Sequence, residues 1–152
     1  MPRGASNQPV HFLDWRDEWQ LDVGFMDEDH HHLAVLLNRV ARDYCAVVGS
    51  YGIPQPDAPP LAEALSELAE QTRAHFQREE DAMRVDAYPE LAEHQSEHNQ
   101  LLAELSLMIR ELRDSGTERL DQAHLHALKD WLMGHVLEQD RAFADFLKSP
   151  GD

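Results

Sequence analysis

The sequence predicts an all-α protein, an antiparallel up-down-up-down four-helix bundle preceded by an N-terminal arm. Three observations carry that expectation. Four separate stretches repeat apolar residues at three- and four-residue steps, the period of a helix with one buried face. Clusters of proline and glycine divide them, and the two-residue alternation of a half-buried strand is nowhere sustained. A chain of 152 residues fits one domain and is long enough to bury a core of its own.

Residues 1–26 lack a sustained period but hold Trp15, Trp19 and Phe25. They read as an arm lying against the body through those aromatics, with only the first ten or so residues fitting a disordered tail. The bundle is expected over 27–148 as a single domain. Its first helix runs from about Asp27 to Val48 on the stripe His30, Leu33, Leu37, Val40, Tyr44 and Val47, with the lone Cys45 packed in it as a small apolar group. The segment "GSYGIPQPDAPP", Gly49 to Pro60, breaks it with a loop that is long for a helix connection. The second helix runs from about Leu61 to Arg84 on Leu61, Leu65, Leu68, Thr72, His75, Glu79 and Met83. "VDAYPE" ends it, because the residue before a proline leaves helical space. The third carries Leu91, His94, His98, Leu101, Leu105, Met108 and Leu112 and stops near Gly116. The fourth spans about Leu120 to Leu147 on Leu125, Leu128, Leu132 and His135, with a neighbouring stripe of Val136, Asp140, Phe143 and Leu147.

Charge excludes whole classes of partner. Lys and Arg number 13 against 29 Asp and Glu, a formal charge of -16, so the phosphate-neutralising attraction behind nucleic-acid and anionic-membrane binding is missing. The longest apolar run, "LAVLL", is too short to cross a bilayer, and the N-terminus has no apolar leader region. The expectation is a cytoplasmic protein with no nucleic-acid and no membrane partner.

Each predicted helix places polar residues on its own core face: His30 on the first, His75 and Glu79 on the second, His94 and His98 on the third, His135 and Asp140 on the fourth. Buried imidazoles and carboxylates without partners cost several kcal/mol each, enough together to cancel a domain's net stability of about 5–15 kcal/mol. Neutral imidazoles and carboxylates are what borderline transition metals bind. Seven donors exceed the six positions of one octahedral ion but suit two ions if the carboxylates are shared. With one solvent-derived oxygen also shared, the ion with three histidines is filled and the ion with two keeps an open position, where a small molecule such as dioxygen would bind. Asp140 strains this pattern, because five residues along a regular helix is about 140° of rotation. It faces the centre only from an adjacent stripe or through a local bulge, and Glu138 and Glu80 are rival carboxylates. His11, His124 and His126 fall off the shared site and are expected in solvent.

The residues just named, in "VGFMDEDHHHLAVLLNRV", "HFQREEDAM", "YPELAEHQSEH" and "WLMGHVLEQD", make a pattern that resembles the bacterial hemerythrins, single-domain non-haem diiron proteins that bind dioxygen. The resemblance covers nearly all of the chain from Trp15 to Leu147 and favours Asp140 over Glu138. It implies two oxo- or hydroxo-bridged iron ions, with His94, His98 and His135 on the filled iron, His30 and His75 on the open one, and Glu79 and Asp140 between them. It also implies that Trp131 and Leu132 line the pocket for dioxygen, although from sequence alone both read equally well as core. The chain departs from the family in its longer Gly49–Pro60 connection and in Phe25 and Met26 before the first ligand. The implied function is reversible dioxygen binding for storage, delivery or sensing by a monomer that is not an enzyme and that serves an unidentified oxygen-consuming partner. The alternatives are a diiron redox enzyme acting on peroxide or nitric oxide, and a bundle in which metal only staples helices. A ferritin-like oxidase fits poorly, since the one clear E-x-x-H, Glu28 with His31, stands at a helix start.

Overall fold

The computed structural model describes residues 11–149, and the expectation for the first ten residues lies outside them. Helix α1 spans Gly24–Tyr44, α2 Leu61–Val85 and α3 Leu91–Ser115. The fourth helix is composite: α4, Gln122–Gly134, passes through a π-helical turn at His135–Asp140 into α5, Arg141–Lys148. The described residues form no strand. They make a four-helix bundle, and no helix among them is long and apolar enough to cross a membrane.

Contacts between helix ends fix the alternating topology. Beyond α1, Ala46 donates its N–H to the Leu120 carbonyl and Leu120 donates to that of Tyr44, joining the end of α1 to the start of α4. At the same end, the Leu61 amide that begins α2 donates to Glu118, just past α3, at 2.9 Å. Neighbours along the chain therefore run in opposite directions, as short connections require.

The ends follow local chemistry. Gly116 closes α3 in the left-handed region at φ 69°, with Thr117 donating back to Leu112 and Gly116 to Arg113. Asp121 caps α4, its carboxylate accepting from the His124 amide at 2.8 Å. Helix α1 ends at Tyr44, short of the expected Val48, because the chain leaves to meet Leu120. Val47 and Val48, which continue the apolar stripe on paper, are exposed, and Cys45 is buried just past the helix rather than within it.

Of the segment expected as an arm, Gly24, Phe25 and Met26 already belong to α1, and the described residues before them pack through more than the tryptophans. Phe12, Leu13 and Leu21 are buried, whereas Trp15 and Trp19 only partly so. Asp27, in the first turn of α1, accepts the amides of Leu21 and Asp22 at 2.8 and 2.9 Å and so ties the arm to the bundle. Two apolar clusters make the core. The larger fills the end where α1 finishes, around Leu37, Leu65, Leu105 and Leu128. The smaller, Leu21, Met26, Met83, Tyr88, Phe143 and Ala144, fills the other. Along each helix, the anomalous polar residues fall between the two.

Candidate metal centre

All seven polar residues that the sequence placed on core faces are buried in this middle layer, and His75, Glu79 and Asp140 expose no surface at all. Regular helix suffices on α2 and α3, where His75 with Glu79 and His94 with His98 stand one turn apart on one face. The fourth helix needs its π turn. The wider i→i+5 repeat brings residues five apart onto one face, so His135 and Asp140 both point inward. This is the local bulge that their spacing demands.

Asp140 sits at the centre with its two oxygens facing opposite ways. Oδ2 lies 2.6 Å from His30 Nε2 and 3.2 Å from His75 Nε2, while Oδ1 lies 2.8 Å from His135 Nε2 and 3.3 Å from His94 Nε2. Glu79 Oε1 stands 3.1 Å from His98 Nε2 and 3.4 Å from the Nε2 atoms of both His75 and His135. Two overlapping donor sets result: Glu79, His94, His98, His135 and Asp140 form one, and His30, His75, Glu79 and Asp140 the other. Donor atoms within each set lie within 4.8 Å of one another, and both carboxylates belong to both sets.

The layer is poorly satisfied by protein atoms alone. Both Glu79 oxygens, Nε2 of His98 and of His135, and Nδ1 of His30 are buried without a hydrogen-bond partner. Each such atom costs about 1–3 kcal/mol. The charges are also in conflict. Burial first, and then the Asp140 charge, push the Glu79 carboxyl up to about 8 against the pull of His75 and His135. Asp140 is held well below the usual carboxylate range, burial opposing but His135, His30 and His75 prevailing. Burial lowers His98 to about 2, helped by His135 and His94, and lowers His30 as well. His75 rises to about 9, because Glu79, Asp140 and Asp29 together outweigh its burial. Nitrogen donors and carboxylates crowded this way, with the Glu79 oxygens and Nε2 of His98 and His135 turned to a common centre, fit a pair of cations.

An outer ring of contacts orients the histidines. His75 Nδ1 meets Asp29 at 2.9 Å, His98 Nδ1 meets Glu80 at 2.7 Å, and His135 Nδ1 meets Gln139 at 2.8 Å. Phe76 stacks on the His98 ring, centroids 3.8 Å apart and planes 4° from parallel. The rival carboxylates thus separate: Glu138 is exposed, and Glu80 touches the back of a histidine rather than the centre. Of the three adjacent histidines, His30 alone turns inward, and His31 packs on Trp15 instead. His124 pairs with Asp121 at the α4 cap, half-buried rather than fully in solvent, and His126 lies exposed beside Phe12. Sequence reasoning missed Asp29, Arg78 and Gln139. The signal available for them was position alone, beside His30, three residues past His75 and four past His135.

Trp131 and Leu132 pack with Leu33, Thr72, Phe76 and Leu101 beside His135 in an apolar region that leaves no room for a water molecule. Its polar hydrogens are already engaged. Trp131 Nε1 donates to the Leu101 carbonyl at 2.9 Å, and the Thr72 hydroxyl donates to that of Leu68 at 2.8 Å.

Comparison with known proteins agrees with this architecture. Residues 21–147 match the family model described as the hemerythrin HHE cation binding domain. A bacteriohemerythrin of Clostridium acetobutylicum is 27% identical over 132 residues, covering 86% of this chain and 98% of the relative. One of Stenotrophomonas maltophilia is 23% identical over 137 residues, covering 90% and 82%. Among solved structures, a wild-type hemerythrin superposes with a TM-score of 0.71 at 21% identity, covering 88% of this chain and 96% of that one.

Proposed function

The chain belongs to the hemerythrin family, and we propose that it binds dioxygen reversibly at a non-haem diiron centre, for oxygen storage, delivery or sensing. In this reading His94, His98 and His135 would hold one iron and His30 and His75 the other, with Glu79 and Asp140 available to both. The observation that carries it is the sharing of both carboxylates between two donor sets, with the Asp140 oxygens turned one to each. Three histidines against two leaves the His30–His75 side a position short, which is where a small ligand would enter.

Two ferrous ions so held would supply the pair of electrons that capture of dioxygen needs and recover them on its release. The protein's part is to bind, orient and exclude. Asp140 and Glu79 offset the positive charge. Leu33, Phe76, Trp131 and Leu132 make the packing beside His135 apolar. With the indole and threonine hydrogens committed to backbone carbonyls, Trp131 and Thr72 have no free proton to offer a small ligand. This supports a carrier rather than an enzyme.

The test is iron content and oxygen response in the wild type and in His94→Ala. The expected result is two irons per chain and a visible absorption that appears with oxygen and bleaches under vacuum, lost in the variant. Full oxygen binding by His94→Ala would sink the ligand assignment. Turnover of peroxide or nitric oxide that disappears on replacing His30 or His75 would favour the redox-enzyme alternative.

A further inference from the structure

We propose that Arg78 and Asp29 form a positioning relay that holds the His75 half of the centre in place from the protein surface. This rests on the reading of His75 as a metal ligand. The contacts run unbroken from solvent to core. The Arg78 guanidinium grips Asp29 with two hydrogen bonds, Nε to Oδ2 and Nη2 to Oδ1, both 2.8 Å. Asp29 Oδ2 in turn takes His75 Nδ1 at 2.9 Å, which turns Nε2 of the same ring towards Asp140. Side-chain exposure falls along this line from 48% at Arg78 to 16% at Asp29 and none at His75.

The two halves of the centre differ in how many histidines are braced from behind. On the three-histidine side, His98 leans on Glu80 and His135 on Gln139. On the other side, His30 Nδ1 is buried with no partner, so Asp29 is the only outer anchor of that half among the described residues. A planar guanidinium with a bidentate grip fixes both the position and the rotation of the carboxylate, which a point charge would not. Loss of an outer contact of this kind typically weakens metal retention about 10–100-fold. Here the loss falls on one metal of the two, the one with the open position, and the retention of that metal is set by a residue reaching into solvent.

The experiment is release of iron from the full chain, loaded anaerobically with ferrous iron, into excess of a colour-forming ferrous chelator. Arg78→Gln, Arg78→Lys and Asp29→Asn are compared with the wild type. Arg73→Gln serves as control, since Arg73 sits exposed on the same helix and, among the described residues, pairs with Glu70 alone. Thermal melts of the metal-free proteins accompany the release curves. The expected result is one iron leaving about tenfold faster or more in Arg78→Gln and Asp29→Asn while the second keeps its wild-type rate. Arg78→Lys should fall between, the control should match the wild type, and metal-free melting should move by no more than about 4 °C. Wild-type rates for both irons in Arg78→Gln and Asp29→Asn would overturn the proposal. Equal acceleration of both irons would overturn it too, since that is general loosening. A wild type that never holds two irons would remove the diiron reading and this proposal together, whereas the first two outcomes remove the relay alone.

Discussion

Replacing Glu79 with Gln should have opposite effects on the metal-free and the metal-loaded protein. Glu79 has no exposed surface, both of its oxygens lack hydrogen-bond partners, and its carboxyl is pushed from 4.5 to about 8, by burial first and the Asp140 charge second. A carboxyl raised in the folded state penalises folding above its unfolded value. The penalty is absent below about pH 4.5, grows as pH rises, and levels off once pH passes the folded value. For a shift of this size it amounts to roughly 1 kcal/mol at pH 5 and about 3 kcal/mol at pH 7. The glutamine amide is nearly the same shape and carries no charge. Metal-free Glu79→Gln should therefore melt about 6–12 °C above metal-free wild type at pH 7, with the gain shrinking towards pH 5. Once iron is supplied the order should reverse, because the amide is a poor bridge and iron content should fall below two per chain. Thermal melts of chelator-stripped and reloaded protein at both pH values measure all four quantities. A metal-free variant less stable than wild type at pH 7, or a gain equal at both pH values, would refute the electrostatic reasoning.

Two further substitutions test parts of the fold away from the centre. Ala87, exposed after α2, holds a left-handed φ of 51°, a conformation costing a residue with a Cβ about 1–2 kcal/mol, so Ala87→Gly should raise stability by about 1 kcal/mol in urea unfolding. Asp43 is buried, accepts Arg42 Nε and Nη2 at 2.8 and 3.0 Å and the Gln55 amide at 3.0 Å, and has its carboxyl lowered because these bonds outweigh its burial. Its contribution should be present above its unfolded value near pH 4 and fade as pH falls through the folded one. Asp43→Asn should thus cost about 1–2 kcal/mol at pH 7 and clearly less at pH 3, read from denaturant midpoints.

The helices and the seven inward residues were legible for one physical reason: a polar side chain in an apolar stripe is an exception that one sequence can show. His94 and His98 between Leu91 and Leu101 are the clearest case. Even the π turn left a trace, as a five-residue gap that no regular helix accommodates. What escaped notice lies on faces where polarity is ordinary. Asp29 sits in "DEDHHH" among other acids, and Arg78 in "QREED" looks like any solvated arginine. Their roles depend on which helix faces which across the bundle, and periodicity within one helix carries no such information. The helix ends moved for a similar reason. Val47 and Val48 extend the stripe of α1, but pairing of Cys45 with Leu120 ends the helix, and that contact joins residues far apart in the chain. Phe12, Leu13 and Leu21 are buried as single apolar residues in an irregular arm, where there is no period to reveal them.

Two irons held in this bundle should take up dioxygen and give it back. The most direct test is oxygen uptake by anaerobically reduced, iron-loaded protein, followed by release under vacuum and repeated over several cycles. The expected result is one dioxygen taken up for every two irons and returned in each cycle. Uptake that is never returned, or uptake unchanged when zinc replaces iron, would contradict it.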